Sequence, residues 1–386
     1  MKEMIRNNIC INAHPKGCGL YVQKAVSAVK KKDRFLGPKN VLVIGCSTGY
    51  GLATRIAAHL GSGAKTLGVA YEKAPTGKRT GSAGWYADLY YREAVEPQAT
   101  TLNMDAFSHE CKQAAIDEIK KTMGTVDLVI YSLASGVRID PDSGVRYTSA
   151  LKPIGSPYTS QGVDILGNLT QIHVEPATDE EIEHTIKVMG GEDWELWIRA
   201  LLEAGVLSPQ ALTLAYSYIG PEVTKDLYRN GTIGRAKEDL ESRAKAIETS
   251  MTNLSGKAFV SVNKAVVTRA SSVIPSVPLY LSLLYRVMKS KNTHEECVGQ
   301  MDRLLREKLY SGSDIPVDEH NRIRMDDWEM SPDVQEIVAE KWKTIGDLPL
   351  SEIGDIDGVY TEFLHMHGFG YPSIDYSLDV DLQAVR

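Results

Sequence analysis

The segment 213–240, TLAYSYIGPEVTKDLYRNGTIGRAKEDL, offers Tyr216, Tyr218, Tyr228 and Lys237. A phenol can hydrogen-bond to an oxygen on which negative charge builds and then deliver a proton. An ammonium close by lowers the phenol's pKa. Together they suit reductions in which a carbonyl-type oxygen is polarised while a hydride arrives. Tyr228 and Lys237 stand nine residues apart. In one unbroken helix, at about 100° per residue, that spacing points them in opposite directions. Asn230-Gly231 lies between them and should break the helix, leaving Tyr228 before the turn and Lys237 inside the next helix. Spacing alone remains equally compatible with a core tyrosine and a surface lysine.

Other clusters are weaker. His294-Glu295-Glu296-Cys297 has metal-ligand residue types, but adjacent residues on a helix do not face one another, so a solvated helix is the simpler reading. His14 and Cys18 are isolated. Asp326, Asp327 and Glu329 read as a helix start with acidic residues in its first turn. No CxxC or HExxH pattern is present, so no metal is expected.

Short apolar runs supply a frame for these side chains: NVLVIG (40–45), KTLGVAY (65–71), TLNMD (101–105), VDLVIYS (126–132), ALTLAYS (211–217) and KAFVSVN (257–263). Helical patterns separate several of them, among them LATRIAAHL and HECKQAAIDEIKKTM (109–123). Strand and helix alternating in this way predict an α/β fold, a Rossmann-type doubly wound parallel sheet. The first strand runs into Gly45-Cys46-Ser47-Thr48-Gly49-Tyr50-Gly51, which opens a helix. Glycine lets backbone turn sharply beside a pyrophosphate, and the helix N-terminus offers free N–H groups to phosphates. GxxxGxG alone also describes a tight structural turn; strand before and helix after favour a dinucleotide. Glu72, after Tyr71 at the end of the second strand, would accept from adenosine-ribose hydroxyls and repel a 2′-phosphate, favouring NADH. Asp105 and Ala106 after the third strand would flank adenine. Ser132-Leu133-Ala134-Ser135 after the fourth would pass the other ribose, whose hydroxyls Lys237 could hold. Cys46 reads as a small filler.

About eighty residues separate the strands at 126–132 and 211–217. The first part, 137–168, reads as loop or hairpin; the second reads as two helices broken at Gly190 and Gly191. Such an insertion lies on the ligand side of the sheet and should form a substrate wall or lid. The expected organisation is one enlarged Rossmann-type unit over 1–386. Its cofactor core covers about 38–136 and 210–290, its substrate wall 137–209 and a helical extension 291–386. The stretch Val273 to Met288, with Pro275 and Pro278, is too short to span a bilayer and reads as a buried helix. A net charge of −7 argues against broad nucleic-acid binding but not against a local basic patch. Five scattered cysteines and no apolar N-terminal run fit a reducing cytoplasm rather than a disulfide scaffold, a secreted protein or a membrane protein.

The motifs RNNICINAHPKGC, GCSTGYG, Ala83-Gly84-Trp85, KVMGGEDW, AYSYIGP, AFVSVNKAVVT and DEHNRIRMDDWE resemble, over essentially the full length, the trans-2-enoyl-CoA reductases and the related V-type (FabV) enoyl-ACP reductases. That family is similar to an enlarged short-chain dehydrogenase with a Tyr-x8-Lys pair, which Tyr228 and Lys237 match. The resemblance implies NADH-dependent reduction of the 2,3 double bond of a trans-2-enoyl-CoA or, alternatively, of an enoyl-ACP. It implies that Gly45, Cys46, Ser47, Thr48, Gly49 and Tyr50 hold the pyrophosphate. Tyr71, Glu72, Asp105, Ala106, Leu133 and Ala134 would hold adenosine and ribose, and Val266, Val267 and Thr268 the nicotinamide carboxamide. Tyr218 would contact substrate, and the protein would be a monomer. The N-terminal motif is closer to the CoA reductases. A short-chain alcohol or ketone dehydrogenase and a non-catalytic NADH-binding module are the other readings of the same residues. No second nucleotide fingerprint supports a flavin.

Overall fold

The computed structural model describes residues 1–383 except 7, 96, 165, 166 and 275. Pro275, singled out above, lies outside the described residues. Seven strands form one parallel sheet, and the central apolar runs among them are covered on both faces. The seven are β1 (Asn40–Ile44), β2 (Lys65–Ala70), β3 (Ala99–Asn103), β4 (Val126–Tyr131), β5 (Leu207–Ser217), β6 (Lys257–Val262) and β7 (Arg322–Arg324). Their order across the sheet is β7-β6-β5-β4-β1-β2-β3. All six pairings are parallel. The direction of travel therefore reverses between β1 and β4, where a doubly wound sheet opens a crevice at its C-terminal edge.

Helices α1 (Pro15–Lys30), α2 (Gly49–Ser62), α3 (Ala83–Val95), α4 (His109–Thr122), α5 (Asp179–Met189), α6 (Glu192–Glu203) and α7 (Thr232–Ser250) precede β6. After it come α8 (Val277–Ser290), α9 (Cys297–Arg303), α10 (Pro332–Lys343), α11 (Leu350–Ile353) and α12 (Ile356–Met366). One face of the sheet packs on α4, α6 and α7 around Trp194, Trp197, Ile119 and Ile247. The other packs on α2 and α9 through Ala53, Ala57 and Met301. A further apolar cluster joins α8 to α10 and α12. Both indoles are fully buried, and each finds an acceptor, Thr213 Oγ1 for Trp194 and the Ala106 carbonyl for Trp197.

The insertion begins as two hairpins, Val137–Ile139 with Arg146–Thr148 and Tyr158–Val163 with Leu169–Val174. It continues as α5 and α6, broken at Gly190 and Gly191. Thr178 and Glu181 start α5 with a reciprocal capping box. Residues 291–386 contribute helices and also the edge strand β7.

Three expectations are corrected. The buried helix begins at Val277, and Ser271–Val273 is a separate 3₁₀ turn; Pro278 lies in the first turn of α8, where its missing N–H is harmless. His294, Glu295 and Glu296 are not a solvated helix but a lead-in to α9, which starts at Cys297. An ion pair and a hydrogen bond draw this segment inward: Glu295 pairs with Arg303 at 2.6 Å, and the His294 ring lies 3.2 Å from Glu362. Asp326 to Glu329 do not begin a helix either. They form a turn ahead of α10; buried Asp326 pairs with Arg324 at 2.7 Å, and Glu329 is buried by partners from distant segments. No helix among the described residues is long and apolar enough to cross a membrane.

Candidate active site

The residues that the sequence assigns to a dinucleotide all follow the C-terminal ends of strands, so the sheet gathers them along one edge. Gly45 leaves β1 with φ +87°, and a Cβ there would stand 2.3 Å from the carbonyl oxygen of Ser132 beyond β4. Gly51, in the first turn of α2, would place a Cβ 1.9 Å from the Gly45 carbonyl. Only glycine permits both approaches. Thr48 occupies the N-cap of α2 without a side-chain hydrogen bond, which leaves the first amides of the helix uncapped and suited to an anion. Cys46 is buried beneath the loop, 3.5 Å from Arg55, and burial pushes its thiol up to about 12, so it is an inert filler. Arg55 is fully buried and bonds Asp88, Thr101 and the Thr100 carbonyl.

Beyond β2, Tyr71 is largely exposed and Glu72 turns inward. The Glu72 carboxylate accepts from Ser47 Oγ at 2.7 Å and from Ser82 Oγ, and pairs with Arg269 at 2.7 Å. Glu72 thus ties the glycine loop to the segment after β6. Asp105 accepts from the Phe107 amide at 3.0 Å. Ala106 is buried, and its carbonyl accepts from Lys112. Leu133 is half-buried and Ala134 exposed after β4. Val266 and Val267 are buried after β6, and Thr268 faces the loop, its methyl 3.5 Å from the position of a Cβ on Gly49. The Val267 amide donates to the Tyr285 hydroxyl and the Thr268 amide to Ser271 Oγ. That leaves the Val266 amide and the Val267 carbonyl as backbone groups with no partner among the described residues. Tyr50 donates to the Lys264 carbonyl and accepts from Gln300.

The Asn230-Gly231 break forms as expected: α7 starts at Thr232 with Gly231 as N-cap. The Tyr228 carbonyl accepts from the amides of Gly231 and Gly234, at 3.3 and 3.0 Å, so Tyr228 is anchored to the first turn of the helix that carries Lys237. Lys237 follows Gly234 by one turn. The Tyr228 side chain is buried, and its ring meets that of Tyr218 edge to face at 5.0 Å. Burial raises its pKa, which keeps the phenol protonated and able to donate. No group among the described residues hydrogen-bonds its hydroxyl or the Lys237 ammonium. Desolvation lowers the Lys237 pKa to about 8, partly opposed by Glu241. Tyr216 is not part of this group; it shares a 2.6 Å hydrogen bond with Thr54 and links β5 to α2.

Sequence reasoning missed a buried polar cluster behind the tyrosines. Glu329 Oε1 accepts from Tyr218 at 3.2 Å and Tyr280 at 2.6 Å, and its Oε2 accepts from the Ala265 amide at 2.6 Å. Burial raises the Glu329 pKa, opposed chiefly by Lys264. Lys264 is fully buried; it donates to the Ala265 carbonyl and lies over the ring of Tyr285, which in turn donates to Glu362. The available signal was the two tyrosines embedded in the apolar helix α8, since buried phenols need partners.

Three family profiles match the chain. One, described as the trans-2-enoyl-CoA reductase catalytic region, covers residues 79–310. A second, the NAD(P)H binding domain of trans-2-enoyl-CoA reductase, covers 1–77, including the glycine loop and Glu72. The third, described as an enoyl reductase FAD binding domain, covers 317–380. Those residues do not fit a flavin: they form the edge strand β7, the Glu329 turn and α10 to α12. Their apolar side chains Val334, Val338, Val359 and Phe363 are committed to packing on α8, and no strand, Gly-rich turn and helix occur in succession.

The chain is 49% identical over 385 residues to an enoyl-[acyl-carrier-protein] reductase [NADH] of Flavobacterium johnsoniae, covering 99% of this chain and 97% of the relative. It is 49% identical over 392 residues to a trans-2-enoyl-CoA reductase [NADH] of Treponema denticola, covering 99% and 98%. The fold superposes with TM-score 0.96 on the crystal structure of a Clostridium acetobutulicum trans-2-enoyl-CoA reductase in complex with NADH, at 43% identity and 99% and 98% coverage. With matching profiles over both halves and similarity along nearly its whole length, the chain belongs to the trans-2-enoyl-CoA reductase family.

Proposed function

We propose that this protein reduces the 2,3 double bond of a trans-2-enoyl-CoA, with Tyr228 as the acid and Lys237 as the residue that holds the nicotinamide ribose. Family membership supports the broader activity, NADH-dependent reduction of an enoyl thioester in fatty acid metabolism. NADH supplies the hydride, delivered to C3. The thioester oxygen then gains enolate charge, and Tyr228 donates a hydrogen bond to it and supplies a proton. Lys237 keeps an ammonium within the first two turns of α7 for the ribose hydroxyls. Tyr218, packed on Tyr228, forms the substrate-facing wall. The glycine loop holds the pyrophosphate, Glu72 with Tyr71 the adenosine ribose, Asp105 and Ala106 the adenine, and Leu133 and Ala134 the second ribose. Val266 to Thr268 take the carboxamide through the Val266 amide and Val267 carbonyl. The insertion 137–209 and α8 enclose the acyl chain. The protein acts as a cytoplasmic monomer; its five cysteines are unpaired, as expected in a reducing compartment.

The observation that carries this reading is the pairing of Tyr228 and Tyr218 at 5.0 Å, with a lysine in the second turn of the following helix whose ammonium has no hydrogen-bond partner among the described residues. NADH oxidation measured side by side with crotonyl-CoA, longer enoyl-CoAs and an enoyl-ACP tests it. Turnover is expected to be fastest with a CoA thioester. A clear preference for enoyl-ACP reassigns the carrier, and NAD-linked alcohol oxidation with no enoyl reduction refutes the chemistry.

A further inference from the structure

The desolvation of the fully buried Glu329 is offset chiefly by the buried Lys264 ammonium, and Glu329 also holds three hydrogen-bond donors. Its three donors come from three elements: Tyr218 from the end of β5, Tyr280 from α8, and the amide of Ala265 from the loop after β6. The first carries the phenol that packs on Tyr228, the second belongs to the wall helix, and the third opens the loop of Val266, Val267 and Thr268. Glu329 accepts all three of these hydrogen bonds, which fixes the sense of each. The Tyr218 proton is committed to Glu329, and Tyr228 is left as the phenol whose proton is free.

We propose that Glu329 is a positioning residue for the reduction: it locks the Tyr218 ring against Tyr228 and ties the Ala265 loop to the same point. Acid, substrate wall and cofactor loop thereby keep a fixed register. This rests on the roles given above to Tyr218 and Tyr228. A glutamine at 329 preserves volume but adds a donor, which must either oppose the Ala265 amide or reverse the hydrogen bonds with the tyrosine hydroxyls.

The test compares Glu329→Gln, Tyr218→Phe and the double variant. The readouts are kcat and KM for crotonyl-CoA, NADH binding by fluorescence and thermal melting. Glu329→Gln is expected to lower kcat about 10- to 100-fold, the scale of a lost hydrogen bond to a charged group. The double variant should fall no more than about 3-fold below the worse single one, because both changes break the same bond. Multiplicative losses in the double variant, or Glu329→Gln within about 2-fold of the parent kcat, overturn the proposal. The second of these with Tyr218→Phe impaired removes only the Glu329 role. Normal turnover in Tyr218→Phe removes the underlying assignment of Tyr218 as well. A purely structural Glu329 would lower the melting temperature and leave the two losses multiplicative. If Glu329→Gln does not fold, Tyr280→Phe takes its place in the cycle. Tyr280 shares the acceptor atom with Tyr218, so coupling is again expected and multiplicative behaviour again refutes.

Discussion

Replacing Lys237 with methionine should stabilise the cofactor-free protein at neutral pH while abolishing most of its activity. The residue is half-buried and has no ion pair among the described residues, and desolvation lowers its pKa from 10.5 to about 8. At about 1.4 kcal/mol per pH unit, holding that charge costs the fold at most about 3 kcal/mol. Partial exposure to solvent screens this to about 1–3 kcal/mol. Below pH 8 the lysine is charged in both folded and unfolded chains and the cost is complete. Between pH 8 and 10.5 the folded chain releases its proton first, so the unfolded chain holds more protons and stability rises with pH. Above 10.5 the side chain is neutral in both states and the cost is gone. Methionine keeps most of the volume without the charge. Glu241 would not be orphaned, since Arg229 and Arg322 each lie 3.3 Å from it. Urea unfolding of parent and variant, at several pH values from 7 to 10.5, measures the gap. The variant should be the more stable at pH 7, and the gap should close towards pH 10.5. Saturating NADH should favour the parent instead, because the ribose hydroxyls give the ammonium its partners. A gap that does not change with pH, or a parent more stable at pH 7 without NADH, refutes the reasoning.

Tyr228→Phe should reduce turnover about 10²-fold or more while NADH binding, read by fluorescence, stays near normal; near-normal turnover would eliminate Tyr228 as the acid. Glu72→Ser should raise the use of NADPH relative to NADH, because it removes a negative charge and frees Arg269, now 2.7 Å from that carboxylate, to pair with a 2′-phosphate. Adding Arg269→Ala should reverse the gain in steady-state assays, and an unchanged cofactor ratio in Glu72→Ser would count against the ribose role. Gly45→Ala would force a Cβ to 2.3 Å from the Ser132 carbonyl at a φ of +87°. It should cost about 1–3 kcal/mol of loop strain and weaken NADH binding at least tenfold, as titration would show.

What the residues disclosed unaided is local. Short apolar runs gave the strands β1, β2, β4 and β6 within a residue or two, because a strand covered on both faces is apolar nearly throughout. Asn230-Gly231 announced the break that separates Tyr228 from α7, since backbone preference at that dipeptide acts over a few residues. The glycine loop was legible for the same reason. Tertiary structure alone decided the rest. β7, with the sequence Arg-Ile-Arg, carries no strand-like run and exists because the edge of β6 needs a partner. Tyr216 on β5 and Tyr218, just past the end of that strand, reach different surroundings, one against Thr54 and the other against Glu329. Glu329 looked like a helix-start acid. Its actual partners lie 111, 49 and 64 residues away along the chain. Backbone preference and periodicity are set by near neighbours and survive in a sequence read linearly. The burial and pairing of a charge are set by whichever distant segments the sheet order brings to the same edge.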